Sequence, residues 1–460
     1  MEANAANESG QKDVGRNSSY SLTTIIKFVG LSVLGVFLFF TPVTIKGVKS
    51  IPLDHFIIWI NEVIPWFGPV FTVIIVIIGG ILPWVQKSYR KNALSLIMAL
   101  LRTLGIPFAV LGALSFLKIA TIGPEWLMKP GMLPFLFEKI VVAVTLIVPI
   151  GSIFLTFLIC FGLLEFVGIL VNPVMRPVFK TPGKSAINAV AAFIGSFSVA
   201  IFFTNKLYNE GKYTKREAIV IMSGFSTVSA TFMVIVAKTA RLMDMWNFYF
   251  WSALVITFIV TALTVRLWPI RKMENSYKDG VTPVPEEKMP GNIFKNALGE
   301  GLKTARNSPP LLKSLWENLK SGINMIFVLS PSMSSIGLIA FILVKMTSVF
   351  DIVGFIFVPF TLLLSLFGLP EPMVLAKACS AILAEMFVPN ILVAGLPMAV
   401  KYVVAVTSVS SVLFFAGPIP CILASDVEFK PSHMLAIWFE RTALSIILSG
   451  MVGLIVFGSA

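Results

Sequence analysis

The sequence predicts an all-α polytopic membrane protein, built as an inverted repeat with two re-entrant hairpins and two broken transmembrane helices. Three observations carry this expectation. Of 460 residues, 57% are hydrophobic and only 13% charged, where a soluble domain carries roughly a quarter. Apolar runs of about 20 residues, the length that crosses a bilayer, recur along the chain. Other apolar runs are interrupted by Gly, Pro and hydroxyl residues, and the interruptions recur in the same order in two halves. With a mean hydropathy of +0.89, the apolar side chains are too many for a soluble fold to hide. A soluble enzyme, a nucleic-acid binder and a disordered chain are thereby excluded.

Residues 1–24 read as a polar cytoplasmic tail, without the basic segment and cleavage site of a signal peptide. Full spans are expected at about 25–45, 64–85, 92–118, 138–159, 216–237, 247–267, 321–347 and 434–458. Residues 25–159 form scaffold spans, 160–270 a first repeat, 271–320 a polar loop and 321–460 a second repeat. Within the repeats, segment 160–180 is broken by Gly168, Pro173 and Pro177, and segment 350–370 by Gly354, Pro359 and Pro370. Segments 185–205 and 373–396 carry polar residues at their middles. Segment 400–425 is interrupted by Ser408, Ser410 and Ser411, then by Gly417, Pro418 and Pro420. Non-helical backbone at membrane depth is tolerated only inside protein or beside a watery cavity.

The net charge of +13 reads first as topology. Lys87, Arg90 and Lys91, then Arg176, Lys180 and Lys184, then Lys206, Lys212, Lys215 and Arg216 all fall on the cytoplasmic side if the N-terminus does. Basic loops on both sides of 185–205 make that segment a hairpin that enters and leaves on one face. The loop 271–320, with nine Lys/Arg and six Asp/Glu, is cytoplasmic by the same rule. Its part near Asn292–Leu319 reads as an amphipathic surface helix.

The repeat is visible in short matches. Glu165-Phe166-Val167-Gly168 followed by Pro173 parallels Asp351-Ile352-Val353-Gly354 followed by Pro359, 186 residues later. A hairpin-like stretch follows each: Gly195-Ser196-Phe197-Ser198 in the first half, Ala384-Glu385-Met386 in the second. A hydroxyl-rich break follows each hairpin, at Ser223–Ser229 and at Thr407–Ser411. Such breaks leave backbone N–H and C=O groups free to hold a polar solute or a cation. Small residues also serve helix packing, so no single Ser is decisive.

Glu385 is the sharpest single residue. It lies in an apolar run, and a carboxylate at bilayer depth costs at least ~3 kcal/mol on insertion scales. It can bind a solute hydroxyl or amine, or carry a proton. Lys184 and Lys377, at the hairpin starts, read as snorkelling residues. Glu440 and Arg441 read as a helix-packing or interfacial pair. Cys160, Cys379 and Cys421 lie in apolar runs, and His55 and His433 stand alone in sequence, so neither a disulfide framework nor a metal site is expected. No phosphate loop, dinucleotide fingerprint or nucleophile elbow is placed between strand and helix, and no enzyme is expected.

From Gly195 through Tyr213-Thr214-Lys215-Arg216-Glu217 to Met222–Ser229, the chain is similar to the Gate, or nucleoside recognition, domain, and as a whole it resembles the YjiH family of Gate-domain membrane proteins. Concentrative nucleoside transporters share that core. Their first hairpin reads GQTE, followed by MTxSE and a GFAT-type break; their second reads NEF, followed by an NFSS-type break. Those places are taken here by Gly195–Ser198, Thr214–Glu217, Gly224–Thr227, Ala384–Met386 and Ser408–Ser411. The resemblance covers about 160–240 and 350–458. It implies solute contacts from Gly195, Ser196, Phe197, Ser198, Glu385, Ser408 and Ser411, and ion coupling through Glu385, Thr227 and Val228. Ser196 and Ser198 replace the Gln and Glu that contact the base, Ser408 replaces an Asn that contacts ribose, and Ala191 replaces a sodium-site Asn.

The expected function is a secondary transporter of a small polar solute, nucleoside-, amino-acid- or peptide-like, across the bacterial plasma membrane. A proton or sodium is the coupling ion, and no other cofactor is expected. The partners are the solute and the lipid bilayer, with no nucleic acid and with homo-oligomer formation left open. The alternative is a sensor or assembly factor that keeps the fold and moves nothing.

Overall fold

The helix Leu22–Phe40 (α1) wears its bulk on the outside. Leu22, Ile26, Val29 and Val33 are exposed, while Thr24, Ser32 and Gly35 are buried with Phe28 and Phe39. A lipid solvent permits this arrangement: small residues let helices approach closely, and large apolar ones face the acyl chains. The structure, a computed structural model, describes residues 21–458 apart from 91–92, 130–131, 184, 187–188, 190–196, 229, 284–290 and 424.

After α1 come a short antiparallel hairpin, Val43–Ile45 (β1) with Val48–Ser50 (β2), and the helices Pro52–Val63 (α2), Phe67–Val85 (α3) and Ala93–Phe116 (α4). Next are Ala143–Ile159 (α5) and Leu163–Val174 (α6), then Phe197–Asn209 (α7), Lys215–Gly224 (α8), Ala230–Thr239 (α9) and Trp246–Thr264 (α10). The polar loop contributes Ile293–Asn307 (α11). Leu311–Ser332 (α12) runs through a π turn into Leu338–Met346 (α13). The rest is Val349–Gly354 (α14), Val358–Ser365 (α15), Pro372–Ala381 (α16), Val388–Leu392 (α17), Met398–Ser410 (α18), Pro418–Leu423 (α19) and Pro431–Phe457 (α20).

Among the described residues six helical stretches are long and apolar enough to cross a membrane: Leu22–Phe40, Phe67–Val85, Ser95–Phe116, Met243–Thr264, Leu311–Leu343 and Pro431–Phe457. The protein is therefore an all-α polytopic membrane protein. The expected span at 216–237 is not continuous. It is split into α8 and α9, because the chain leaves helical geometry from Phe225 to Val228. The surface helix also ends earlier than expected, at Asn307. Pro309 and Pro310 stop it, and residues from Leu311 onward begin the long α12.

Two packing groups organise the spans. In the first, α12 lies against α3, α4 and α5, and α1 lies against α5. The hydroxyls of Thr145 and Ser330 meet at 2.8 Å across the α5–α12 seam. In the second, α10, α18 and α20 pack on one another, with α16 and α17 against α18. Helix α9 touches both groups, through α5 on one side and α10, α17 and α18 on the other.

Helices α5 and α6 meet at a 66° bend. Gly162 makes it: its φ is +96°, a left-handed conformation that L side chains rarely adopt. The amphipathic α11 seats on the elbow, burying Ala297, Gly301, Leu302 and Ala305. A Cβ on Gly162 would lie 2.1 Å from the carbonyl oxygen of Gly301. Phe28, Phe166 and Phe294 stack edge to face beside it, and Lys27 Nζ donates to Ser308 Oγ at 2.9 Å.

Gly162→Ala is expected to destabilise the protein by at least about 1–2 kcal/mol from the left-handed backbone alone, with the clash adding to it. Gly299→Ala, where a Cβ meets nothing within 4 Å, is expected to be neutral or to stabilise by up to about 1 kcal/mol. Thermal unfolding of the two variants in one detergent checks the contrast.

Candidate functional site

Helix α8 starts with a capping box. Thr214 Oγ1 accepts from the Glu217 N–H, and Glu217 Oε2 accepts from the Thr214 N–H at 2.9 Å. The helix stops at Gly224. The Phe225 N–H still reaches the Ile221 carbonyl, and the Thr227 N–H then turns back to the Phe225 carbonyl at 2.7 Å. Helix α18 stops at Ser410 with the same pattern. The Ser411 N–H reaches the Thr407 carbonyl, and the Leu413 N–H turns back to the Ser411 carbonyl at 2.7 Å. Each of these four positions lies 186 residues after its counterpart, the spacing of the acidic–Val–Gly matches upstream. The repeat thus extends from letters to backbone hydrogen bonds.

The second break continues against the second hairpin. Helices α16 and α17 pack together, and the turn between them holds Leu383, Ala384 and Glu385. The Phe415 N–H donates to the Leu383 carbonyl at 2.8 Å and the Ala416 N–H to the Ala384 carbonyl at 3.1 Å. The broken backbone is therefore partnered by backbone of the α16–α17 turn, as a dry interior requires.

Glu385 is 2% exposed. Its Oε2 accepts from the Phe387 and Val388 N–H groups at 2.7 and 3.0 Å, so the carboxylate sits on the N-terminus of α17, where a negative charge is favoured. Asn390, one turn on, was not singled out by the sequence. It is fully buried, and its Nδ2 donates to the Met386 carbonyl at 2.9 Å and to Ser408 Oγ at 3.2 Å. Its Oδ1 is buried without a hydrogen-bond partner. Asn390 therefore joins the Glu385 hairpin to Ser408 on the last turn of α18. No spacing signal could have found it, because the partner lies on another element.

The remaining expected residues divide. Ser408 Oγ donates to the Val404 carbonyl and Ser411 Oγ to the Ser408 carbonyl, so both hydroxyls bond their own helix. Ser226 Oγ donates back to the Ile221 carbonyl of α8 and Thr227 Oγ1 to the Val228 carbonyl, and Val228 itself is buried. Phe197, the first residue of α7, is buried with its ring 6.1 Å from that of Phe414 in the second break. Gly195, Ser196 and Lys184 lie outside the described residues, as does the side chain of Ser198. Phe232 on α9 meets Phe387 of the second hairpin at 5.4 Å. A cavity of about 410 Å³ opens elsewhere, beside α11, between Cys160, Glu165, Lys303 and Asn307.

Arg441 is the largest departure from expectation. It does not pair with Glu440 or with any other carboxylate among the described residues, and it is fully buried. Its Nε and Nη2 donate to the Ser410 carbonyl at 3.0 and 2.7 Å, and Nη2 reaches the Gly224 carbonyl at 3.5 Å. Its Nη1 donates to Thr261 Oγ1 at 3.0 Å, and that hydroxyl shares its one proton between the Thr257 carbonyl at 2.7 Å and the Gly224 carbonyl at 2.9 Å.

Polar contacts also tie α7 and α8 to the segment between α19 and α20. Asn205 and Asn209 donate to Asp426 at 3.0 and 2.6 Å, and Lys215 pairs with Glu428 at 2.8 Å. The two amides hold the Asp426 carboxyl below its ordinary value of 3.8. Because the folded value is the lower one, this contact stabilises above pH 3.8 and is lost as pH falls through the depressed value. An acid titration is expected to show that part of the pH dependence vanish in Asp426→Asn, by melting temperature.

Residues 140–243 match the Gate family model, described as nucleoside recognition. An uncharacterised protein of Alkalihalophilus pseudofirmus is 26% identical over 446 residues, 94% of each chain. Among solved structures, CNTnw in an inward-facing substrate-bound state is 12% identical, with a TM-score of 0.44 over 95% of this chain and 99% of that one. A CNTnw variant in its intermediate 2 state gives 0.45 at 12% identity, over 95% and 100%.

The Asn390–Ser408 contact is expected to contribute about 0.5–1.5 kcal/mol. Asn390→Ala and Ser408→Ala should then fall short of additivity by that amount in a double-mutant cycle of unfolding. Additive effects would mean that the hairpin and the broken helix are not coupled here.

The chain is a multi-pass membrane protein that carries a Gate domain over residues 140–243.

Proposed function

We propose that the protein is a secondary transporter of a small polar solute, nucleoside-like in class, with its site between the two hairpins and the two broken helices. The observation that carries this reading is the matched pair of helix breaks, with the same backbone turn 186 residues apart. Matched interruptions in two halves are the usual pointer to a transporter site. The Gate match over the first break supports it. The two repeats have opposite orientations in the membrane, and 185–205 and 373–396 are re-entrant hairpins from opposite faces. The N-terminus and the loop 271–320 are cytoplasmic, by the distribution of Lys and Arg.

In this reading residues 25–159 are the scaffold, and 160–270 and 321–460 supply the moving repeats. Gly195, Ser196, Phe197, Ser198, Glu385, Ser408 and Ser411 line the solute site. Glu385 has one oxygen committed to the α17 N-terminus, and its carboxylate accepts from a solute hydroxyl. It also carries the coupling proton. Asn390 Oδ1, buried and unpartnered, is a further acceptor beside Ser408.

Reconstitution into proteoliposomes, with a mixed pool of nucleosides and related metabolites outside and mass spectrometry of the contents, tests transport directly. Glu385→Gln is expected to reduce uptake at least about 100-fold while the protein still folds, because the amide keeps the volume and one acceptor oxygen. Ser198→Ala is expected to cost about 10-fold or less, the worth of one neutral hydrogen bond. An inward proton gradient should stimulate the wild type and not the Gln variant. Uptake that follows sodium instead would move coupling to Thr227 and Val228. Solute binding without uptake would favour a sensor.

A further inference from the structure

The two broken helices end at Gly224 and Ser410, each at the negative pole of a helix and each with carbonyls that lack an intrahelical partner. A helix C-terminus carries roughly half a negative charge, so two of them side by side amount to about one. Dissolved cations commonly settle between such ends in transporters. Here the place is filled from within. Arg441 enters from α20, fully buried, and its guanidinium donates to the Ser410 carbonyl twice, to the Gly224 carbonyl, and to the Thr261 hydroxyl that itself bonds Gly224. No carboxylate neutralises it among the described residues. A buried guanidinium without a counter-charge is costly, and only the paired helix ends supply one.

We propose that Arg441 is a resident cation, tethered by its own side chain, that holds the C-terminal ends of the two broken helices together and takes the place of a dissolved monovalent cation there. It is a positioning residue, acting on the two breaks rather than on a solute. The inference stands on this geometry whether or not the protein transports. It implies that shortening the side chain leaves a vacant cation site shaped for a planar, multiply donating ion, and that a free guanidinium refills it.

The test uses full-length protein in detergent, as wild type, Arg441→Lys, Arg441→Met and Arg441→Ala. Melting temperature is read with and without millimolar guanidinium, and with sodium replaced by choline. The expected order is wild type, then Lys, then Met and Ala. Saturating guanidinium should raise the Met and Ala values by about 5 °C and leave wild type unchanged. If Met and Ala yield no folded protein while Lys does, the requirement for charge is shown in another way. A Met variant as stable as Lys, a Lys variant that fails along with Met, or a folded Ala variant indifferent to guanidinium would each overturn the proposal and reduce Arg441 to packing. Solute uptake is not needed for any of these readings, so failure of the transporter reading and failure of this one are told apart.

Discussion

A carbonyl buried in a dry interior has no water to turn to. Every helix that stops there must hand its last acceptors to donors from the protein. Two helices stop at buried residues, Gly224 and Ser410, and the surrounding elements answer the demand. The guanidinium of Arg441 serves both ends, Thr261 relays to one, and the chain after the second end finds partners on the hairpin backbone at Leu383 and Ala384. Without those donors the carbonyls would be buried unpaired, at a cost of about 1–3 kcal/mol each. The interrupted geometry is thus a collective property of α10, α18, α20 and the hairpin, none of which could hold it alone.

The same economy governs charge. Glu385 places a negative group on the positive end of α17, and Arg441 places a positive group between two negative ends. Neither charge meets an ion-pair partner among the described residues. Both are matched to backbone dipoles, which are rigid and need no second ionised side chain in the dry interior. The hydroxyls of Ser226, Thr227, Ser408 and Ser411 are spent on carbonyls of their own segments. On the hairpin side, Asn390 Oδ1 stays buried without a partner.

Much of this was legible in the letters. Length and apolarity located most of the spans, and small and hydroxyl residues located the breaks after Gly224, Gly354 and Ser410, because each acts through a local backbone rule. Gly168 and Pro173 break nothing: Leu163–Val174 is one helix, and the bend falls before it, at Gly162. The repeat offset read from Gly168 and Gly354 recurs unchanged in the hydrogen bonds at Phe225 and Ser411. Glu385 stood out because nothing near it in sequence could neutralise it. Arg441 was misread for the opposite reason: Glu440 beside it offered a partner in sequence that a helix turns away in space. Its true acceptors lie 31 and 217 residues distant. Asn390 was missed likewise, since its meaning comes from Ser408 on another helix. Local rules are readable one segment at a time, and long-range hydrogen bonds are not.

The seat of α11 has its own consequence. One face of that helix is buried on the α5–α6 elbow, while Ile293, Phe294 and Leu298 remain exposed alongside Lys295, Lys303 and Arg306. An exposed surface that mixes apolar and basic side chains is the kind that amphipathic helices present to a lipid interface. Gly162 lets the Gly301 backbone come close, so the bend between α5 and α6 is braced from outside by α11. The angle of the elbow thus answers to the fit of a helix that comes from the polar loop more than 130 residues later in the chain.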